Sequence, residues 1–285
     1  MEQEESPLIQ PEELLQLMLR EKIILVDARS GPAAKDKYVA DHIDGALYVD
    51  LEKEMASVPN DPSNGGRHPL PEPEQFAKTL TGLGITPDSH VVVYDDKSGA
   101  NAAARFWWML KAMGHSKIQA LNGGLDAAIK AGIPLSTKEE SAFVTDPYPS
   151  KAWSMPLAAI EEVEEASHDD DFLVIDVREQ ERYLGEREPI DLVAGHIPGA
   201  INVPFSSNLD ADGFYFPPSQ LRDRYREMLG DRNPDKVIIH CGSGITACHT
   251  VLAMAYAGIQ IPKLYVGSWS EWSRNELPVA TGNRK

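Results

Sequence analysis

The chain has 285 residues, a length that suits two domains better than one. Its formal net charge of −17 predicts a surface that repels nucleic acid and anionic membranes, so neither is an expected partner. No apolar run reaches the about 18 residues of a membrane span, and the acidic start Met1–Pro7 does not resemble a secretory signal, so we expect a cytoplasmic protein. Two cysteines, Cys241 and Cys248, are too few for a disulfide scaffold.

Secondary-structure signals follow the same order in both halves of the chain. Each half begins with an amphipathic helix that has a proline near its start, Pro11 or Pro156. An apolar strand ending in Asp-x-Arg follows, then a His-Ile-x-Gly-Ala run, a second short strand and a helix. An apolar strand that ends at Asp95 or Cys241, an alanine-rich helix, a last strand and a closing helix complete each half. Strands that alternate with helices predict an α/β fold with a parallel sheet covered on both faces.

Four blocks recur at a nearly constant offset, which indicates two copies of one domain. Asp27 precedes Asp176 by 149 residues, and Asp95 precedes Cys241 by 146. The His-Ile-x-Gly-Ala run and a glycine block after the last strand recur at offsets of 154 and 144. We predict a first domain over residues 1–138 with Asp95 at the cysteine position, a linker over 139–154 and a second domain over 155–285.

Cys241 is the candidate nucleophile, because ligands of such sheets lie beyond the carboxyl ends of the strands. It ends the strand predicted for Val237–His240, and a helix is predicted from about Thr246 to Tyr256. The Gly-Ser-Gly run between them lets the backbone curl so that its N–H groups point inward, and the helix adds its positive end. This cradle would stabilise a thiolate or a persulfide anion.

The two cysteines also admit other interpretations. Cys241 could be a buried structural cysteine, although a plain strand-to-helix turn does not need the glycines that follow it. Cys248 falls inside the predicted helix, where packing is the favoured reading and a resolving thiol the alternative. A Cys-x5-Arg loop would indicate phosphatase chemistry, but Ala247 stands at the arginine position.

The motifs resemble the tandem-domain rhodanese superfamily of sulfurtransferases over nearly the whole chain. The resemblance rests on the Asp-x-Arg strand ends, the runs Gly195–Ala200 and Gly267–Trp272, and the Cys241 loop. It implies two tandem rhodanese-like domains, each a parallel five-stranded sheet flanked by helices. It also implies that only the second domain is catalytic, since the carboxylate of Asp95 cannot carry a persulfide.

The loop Cys-Gly-Ser-Gly-x-Thr is similar to that of 3-mercaptopyruvate sulfurtransferases, whereas thiosulfate sulfurtransferases usually have Cys-Arg-Lys-Gly-x-Thr, whose cations hold the thiosulfate dianion. The implied reaction moves sulfur from 3-mercaptopyruvate through a Cys241 persulfide and releases pyruvate. The acceptor is cyanide or a thiol, such as that of a thioredoxin-like protein. A thiosulfate sulfurtransferase and a non-catalytic persulfide carrier remain alternatives. No metal or organic cofactor is implied.

The resemblance also assigns site residues by position. Ser243, His68 and Glu52 form the implied proton relay, although the family more often has aspartate at the third position. Arg182 and Arg187 are implied to bind the donor's carboxylate, since a guanidinium matches it in charge and shape, with surface salt bridges as the alternative. The predicted substrate-binding residues are Arg182, Arg187, Gly242, Gly244, Ile245 and Thr246.

Three histidines and the strand-end motifs are predicted to serve structure and not catalysis. His42 and His196 are expected to make hydrogen bonds specific to the fold, and the Asp-x-Arg side chains to pair with each other or with backbone. His240 would point to the face of its strand opposite that of Cys241, so it is not assigned as a base.

Overall fold

The computed structural model describes residues 5–282, which divide into two compact units. The first unit holds the described residues up to Ala56, with Pro71–Ser154 and Ala211–Tyr215. The second holds Ser57–Leu70, Met155–Asp210 and the described residues from Phe216 onward. Each unit therefore includes a short segment from the other half of the sequence. The sequence did not indicate this exchange, and the predicted boundaries at residues 138 and 155 stay a prediction.

Short strands and helices alternate in the first unit. Its strands are β1 (Leu8–Ile9), β2 (Ile24–Asp27), β3 (His42–Ile43), β4 (Leu47–Tyr48), β5 (Val91–Tyr94), β6 (Ile118–Leu121) and β7 (Leu135–Ser136). Its helices are α1 (Pro11–Arg20), α2 (Ala34–Ala40), α3 (Leu51–Glu54), α4 (Pro73–Gly82), α5 (Ala102–Ala112) and α6 (Gly124–Lys130).

The main sheet of the first unit is parallel and, within residues 5–282, has five strands in the order β1-β6-β5-β2-β4. Strand β5 is buried along its whole length, as expected for an apolar strand covered by helices on both faces. Strands β3 and β7 form a separate antiparallel pair. The α/β class predicted from the alternating signals is confirmed.

The second unit repeats the pattern with fewer strands. Its strands are β8 (Leu173–Asp176), β9 (Ile201–Asn202), β10 (Val237–His240) and β11 (Lys263–Leu264). Its helices are α7 (Ile160–Ala166), α8 (Gln180–Tyr183), α9 (Pro218–Leu229), α10 (Thr246–Tyr256) and α11 (Ser268–Trp272), with short 3-10 helices at Phe205–Asn208 and Pro234–Lys236.

Among the described residues the second sheet has four parallel strands, ordered β11-β10-β8-β9, where five were predicted. An isolated bridge between Leu157 and Leu264 takes the place of the fifth. Leu264 makes both of its backbone bonds there, to Pro156 O and from Ala158 N, and the pairing does not extend into a strand. The equivalent pairing in the first unit, between β1 and β6, extends one residue further, because Asn122 N also donates to the carbonyl of Ile9.

The same bridge explains where the first helix of the second unit begins. Pro11 occupies the first turn of α1, as predicted. Pro156 does not open its helix, which starts at Ile160, because the backbone on either side of Leu157 is bonded to Leu264 in the sheet.

The strand-end motifs form matched buried ion pairs in the two units. Nη2 of Arg29 lies 2.8 Å from Oδ2 of Asp27, and Nη2 of Arg178 lies 2.6 Å from Oδ2 of Asp176. Burial alone would raise the pKa of Asp176, but the charges of Arg178 and His240 outweigh it and hold that pKa below its ordinary value. These pairs tie the carboxyl ends of the central strands to the loops that follow them.

The two predicted structural histidines also occupy equivalent places. Nδ1 of His42 lies 2.8 Å from Tyr38 O, and Nδ1 of His196 lies 2.7 Å from Tyr183 O. Each imidazole stacks on the ring of that same tyrosine, with centroids 4.2 Å and 3.7 Å apart. The structure therefore agrees with a fold-specific hydrogen-bonding role.

Within residues 5–282, no helix combines the length and the apolar character that crossing a bilayer requires. Residues 1–4, on which the expectation of no secretory signal partly depends, lie outside the described part of the chain.

Candidate active site

Cys241 follows the last residue of β10, and five residues later Thr246 opens α10, the helix bounds that the sequence predicted. The cysteine is buried, with 2% of its surface exposed. Its backbone is fixed on both sides, because its N–H donates to Ser268 Oγ at 3.1 Å and its carbonyl accepts from Trp269 N at 3.0 Å. The candidate nucleophile is therefore held by two backbone hydrogen bonds at the carboxyl edge of the sheet.

The two glycines of the loop serve different purposes. Gly244 has a φ of +74°, and a Cβ there would lie 2.6 Å from Val266 O, so a side chain would be strained and would collide with backbone. Gly242 has no left-handed φ. A Cβ on Gly242 would instead lie 3.3 Å from Nη2 of Arg67 and 3.5 Å from both terminal nitrogens of Arg182. The curl of the loop thus depends on Gly244, whereas Gly242 makes room for two guanidinium groups.

The loop ends at the N-terminus of α10. Ile245 is the N-cap residue, and its side chain makes no capping hydrogen bond. Cys248 lies inside the helix, fully buried, and its Sγ donates to Gly244 O at 3.2 Å. This contact fits the packing role favoured for Cys248.

Asp95 stands at the corresponding place in the first unit, directly after β5, and its buried carboxylate fills the loop that follows. Oδ1 accepts N–H bonds at 2.9 Å from Lys97 and Gly99, and Oδ2 accepts them at 3.0 Å from Asn101 and 3.1 Å from Ala103. Burial raises the pKa of Asp95, and the four N–H donors oppose that effect. The loop after this strand is therefore built to surround an anionic group with backbone donors.

The segment Ser57–Leu70 brings the predicted histidine to the cysteine loop. Nδ1 of His68 lies 2.8 Å from Oγ of Ser243, within one hydrogen bond of the residue two positions after Cys241. Three further bonds hold the segment on the second unit: Arg67 N to Ser270 Oγ at 3.0 Å, Gly65 N to Glu271 Oε1 at 2.7 Å, and Asn275 Nδ2 to Ser63 O at 2.7 Å.

Arginines gather beside Gly242, and one of them was not predicted. Arg182 was predicted, and it is held by Glu188, with Nη2 at 2.8 Å from Oε1. Arg67 was missed, because it belongs to no motif and only its position next to His68 could have drawn attention to it. Both arginines contact the buried carboxylate of Asp191.

Arg187 is not brought to this group of residues. The side chain of Arg187 is 64% exposed and pairs with Glu181 at 2.8 Å. Glu52 belongs to the first unit, in the first turn of α3, where the carboxylate of Asp50 accepts its backbone N–H at 3.0 Å. Asp50 is thereby engaged as the helix cap. The roles predicted for Arg187 and Glu52 stay predictions.

The imidazole of His240, the last residue of β10, contacts the backbone of the next residue. Nδ1 of this fully buried ring lies 3.2 Å from Cys241 O, and burial lowers its pKa. A contact with the carbonyl oxygen agrees with the expectation that its ring is not positioned as a base for the thiol.

Proteins with similar sequences are sulfurtransferases. The sequence profile of the rhodanese-like domain matches twice, at residues 10–131 and 159–275. A probable 3-mercaptopyruvate sulfurtransferase of Pseudomonas aeruginosa is 42% identical over 248 residues, covering 86% of this chain and 86% of that protein. Thiosulfate sulfurtransferase of Rattus norvegicus is 36% identical over 249 residues, covering 86% of this chain and 82% of that protein.

A solved structure supports the same relationship. SseA from Escherichia coli, described as a 3-mercaptopyruvate sulfotransferase with the rhodanese fold, has a TM-score of 0.74 at 32% identity, and the match covers 94% of this chain and 100% of that one. The predicted tandem fold and the predicted resemblance are confirmed by these matches. The names of the relatives divide between two sulfur donors, so similarity alone does not select one.

Proposed function

We propose that this chain, which belongs to the family of rhodanese-like domain proteins, is a sulfurtransferase that takes sulfur from 3-mercaptopyruvate onto Cys241. The observation that carries the proposal is the hydrogen bond between Nδ1 of His68 and Oγ of Ser243, beside the cysteine loop. A proton carrier at this place serves a mercapto keto acid, whose carbon must be protonated after sulfur leaves. Thiosulfate needs no such step, because sulfite leaves with its electron pair.

In the first half-reaction the thiolate of Cys241 attacks the donor's sulfur. An S–S bond forms as the C–S bond breaks, and the bonding electrons pass into the enolate of pyruvate. The proton of the donor's thiol is carried by Ser243 and His68 to the enolate carbon. The products are pyruvate and a Cys241 persulfide anion, so atoms and charge balance.

The loop is suited to hold that anion. The equivalent loop of the first unit surrounds the carboxylate of Asp95 with four backbone N–H donors. By analogy, the N–H groups of residues 242–246 would surround the terminal sulfur of the persulfide, aided by the positive end of α10. The substrate-binding roles of Gly242, Gly244, Ile245 and Thr246 follow from the family resemblance and stay proposals.

The nearness of two guanidinium groups to Gly242 supports a site for the donor's carboxylate. A Cβ on Gly242 would lie within 3.5 Å of nitrogens from both Arg182 and Arg67. A planar guanidinium matches a carboxylate in charge and geometry. We therefore assign carboxylate binding to Arg182 and Arg67.

In the second half-reaction a nucleophile removes the outer sulfur and restores the thiolate of Cys241. Cyanide, a small thiol or the thiol of a thioredoxin-like protein would each form its own bond to that sulfur as the S–S bond of the persulfide breaks. The acceptor keeps the transferred sulfur, and Cys241 is ready for another donor.

The test is to mix the purified protein with 3-mercaptopyruvate and no acceptor. We expect one equivalent of pyruvate and a mass gain of one sulfur atom on the peptide that contains Cys241. Cys241→Ser should give neither product, while Cys248→Ser serves as the matched thiol control. If the wild type gains no sulfur and releases no pyruvate, the chain is not this enzyme, and transfer only from an existing persulfide would indicate a carrier.

The donor is tested by steady-state rates with cyanide as the acceptor. We expect a higher kcat/KM for 3-mercaptopyruvate than for thiosulfate. A clear preference for thiosulfate would move this chain to the other donor class, to which its rat relative belongs by name.

The proposed third member of the relay is Glu52, a role that follows from the family resemblance. Glu52→Gln keeps the size of the side chain and removes its charge. We expect kcat with 3-mercaptopyruvate to fall about tenfold or more, within the range of proton-transfer contributions. Unchanged kcat would remove Glu52 from the relay without affecting Cys241.

A further inference from the structure

A single buried carboxylate, that of Asp191, joins three arginines of the second unit. Its Oδ1 contacts Nη1 of Arg67 and lies 3.0 Å from Nη1 of Arg274, and its Oδ2 lies 3.2 Å from Nη2 of Arg182. The side chain of Asp191 is fully buried, whereas those of its partners keep 14% to 22% exposure. Asp191 thus lies behind the arginines, and their outer parts reach solvent.

Carboxylates hold both of the arginines whose terminal nitrogens lie beside Gly242. Asp191 and Glu188 engage Nη1 of Arg67 and both Nε and Nη2 of Arg182. Nη2 of Arg67 lies 3.3 Å from the position of a Cβ on Gly242, and both terminal nitrogens of Arg182 lie 3.5 Å from that position. Asp191 therefore positions both donors that we assign to the substrate carboxylate.

The formal charge of this cluster follows from its ion pairs. Three arginines stand against Asp191 and Glu188, which leaves one net positive charge. Arg178 also contacts Glu188, at 3.3 Å, but Asp176 at 2.6 Å balances it. The rest of the chain offers no positive background, since its formal net charge is −17.

We propose that Asp191 is a positioning residue that selects the donor by charge. It holds the arginine cluster at one net positive charge. The single negative charge of 3-mercaptopyruvate neutralises that charge, whereas the two negative charges of thiosulfate are more than the cluster can neutralise. A dianion at this partly buried place would keep one uncompensated negative charge, and uncompensated charge is costly away from bulk water. This inference rests on the proposed function and identifies Asp191 as the residue that sets the preference between the two sulfur donors.

The test compares the two donors in Asp191→Asn, which keeps the shape and one acceptor but raises the cluster to two net positive charges. We expect the KM for thiosulfate to fall, and the ratio of kcat/KM for thiosulfate to kcat/KM for 3-mercaptopyruvate to rise about tenfold, the effect of one partly screened unit charge. The KM for thiosulfate should also rise more steeply with added salt than in the wild type.

The matched control is Asp223→Asn, which makes the same chemical change on the exposed side of α9, and it should leave both donors unchanged. A purely structural role for Asp191 would raise both KM values and leave the salt dependence as it was. An unchanged donor ratio in a folded Asp191→Asn protein, verified by circular dichroism, would overturn the inference.

A second variant covers the case in which Asp191→Asn does not fold. Arg274→Gln takes the cluster to zero net charge at an arginine that is not assigned to the substrate carboxylate. We expect the donor ratio to shift in the opposite direction, with thiosulfate losing more than 3-mercaptopyruvate. Equal losses with both donors would overturn the inference. The proposed function is judged separately, because it fails only if the wild type forms no persulfide from 3-mercaptopyruvate.

Discussion

Nδ1 of His68 lies 2.8 Å from Oγ of Ser243, although 175 positions separate the two residues in the chain. The contact is possible because the segment Ser57–Leu70 belongs to the second unit, although it lies in the first half of the sequence. A hydroxyl and an imidazole in this relation can pass a proton.

Replacing this histidine should separate the two donors. In His68→Gln we expect kcat with 3-mercaptopyruvate to fall about a hundredfold or more, because the enolate loses its proton carrier. Turnover of thiosulfate should fall much less, since its transfer involves no proton. Steady-state kinetics with cyanide measures both. His168→Gln, at an exposed position of the second unit, is the control, and equal losses with both donors would argue against a relay.

Replacing each of the two loop glycines with alanine should change different kinetic constants. Gly244→Ala forces a residue with a side chain into a φ of +74° and against Val266 O, so we expect loss of kcat and a strain cost of about 1–3 kcal/mol. Gly242→Ala meets only the ends of flexible arginines, so we expect chiefly a raised KM for the donor. Kinetics and thermal unfolding of both variants check this contrast, and the same kinetic defect in both would contradict it.

Asp95→Asn should lower stability without abolishing sulfur transfer. The amide has one acceptor oxygen where the carboxylate has two, and its NH₂ group would face backbone donors that now bond to Oδ1 or Oδ2. We expect the free energy of unfolding to fall by about 1–3 kcal/mol, while persulfide still forms on Cys241 below the melting temperature. Denaturant titration is the measurement. Asp88→Asn, in an exposed turn, should change little.

The buried ring of His249 should make the protein sensitive to acid. Burial lowers its pKa from 6.5 to about 3. Above pH 6.5 the ring is neutral in both the folded and the unfolded protein. Between pH 6.5 and about pH 3 the unfolded chain binds a proton at this ring, whereas the folded chain does not. The free energy of unfolding should therefore fall by about 1.4 kcal/mol per pH unit across this window on account of this one group.

His249→Gln removes that proton, so its stability should decline less steeply between pH 6 and 4 than that of the wild type. Unfolding titrations at several pH values give the slopes. The difference in slope is the decisive quantity, because the substitution also alters the contact with Phe205 O at neutral pH. Parallel curves for the two proteins would show that His249 is not the titrating group.

Local patterns accounted for most of the fold. The internal repeat located Cys241 and its counterpart Asp95, and the apolar run with its glycines predicted the bounds of α10 correctly. The fifth strand of the second sheet was the exception. Its single bridge depends on which backbone groups of Leu264 meet Pro156 and Ala158, and strand propensity does not report such a pairing.

By itself, the sequence determined the class of fold, the position of the candidate nucleophile after its strand and the glycine that its loop needs, because these depend on neighbours along the chain. The tertiary structure alone decided which charged groups surround them. It brought Arg67 to Gly242, left Arg187 on the surface, and placed the carboxylate of Asp191 among three arginines. The physical reason is that a long charged side chain pairs with whichever charged group the folded chain brings close to it. The spacing of residues along the sequence does not indicate which distant segment that will be.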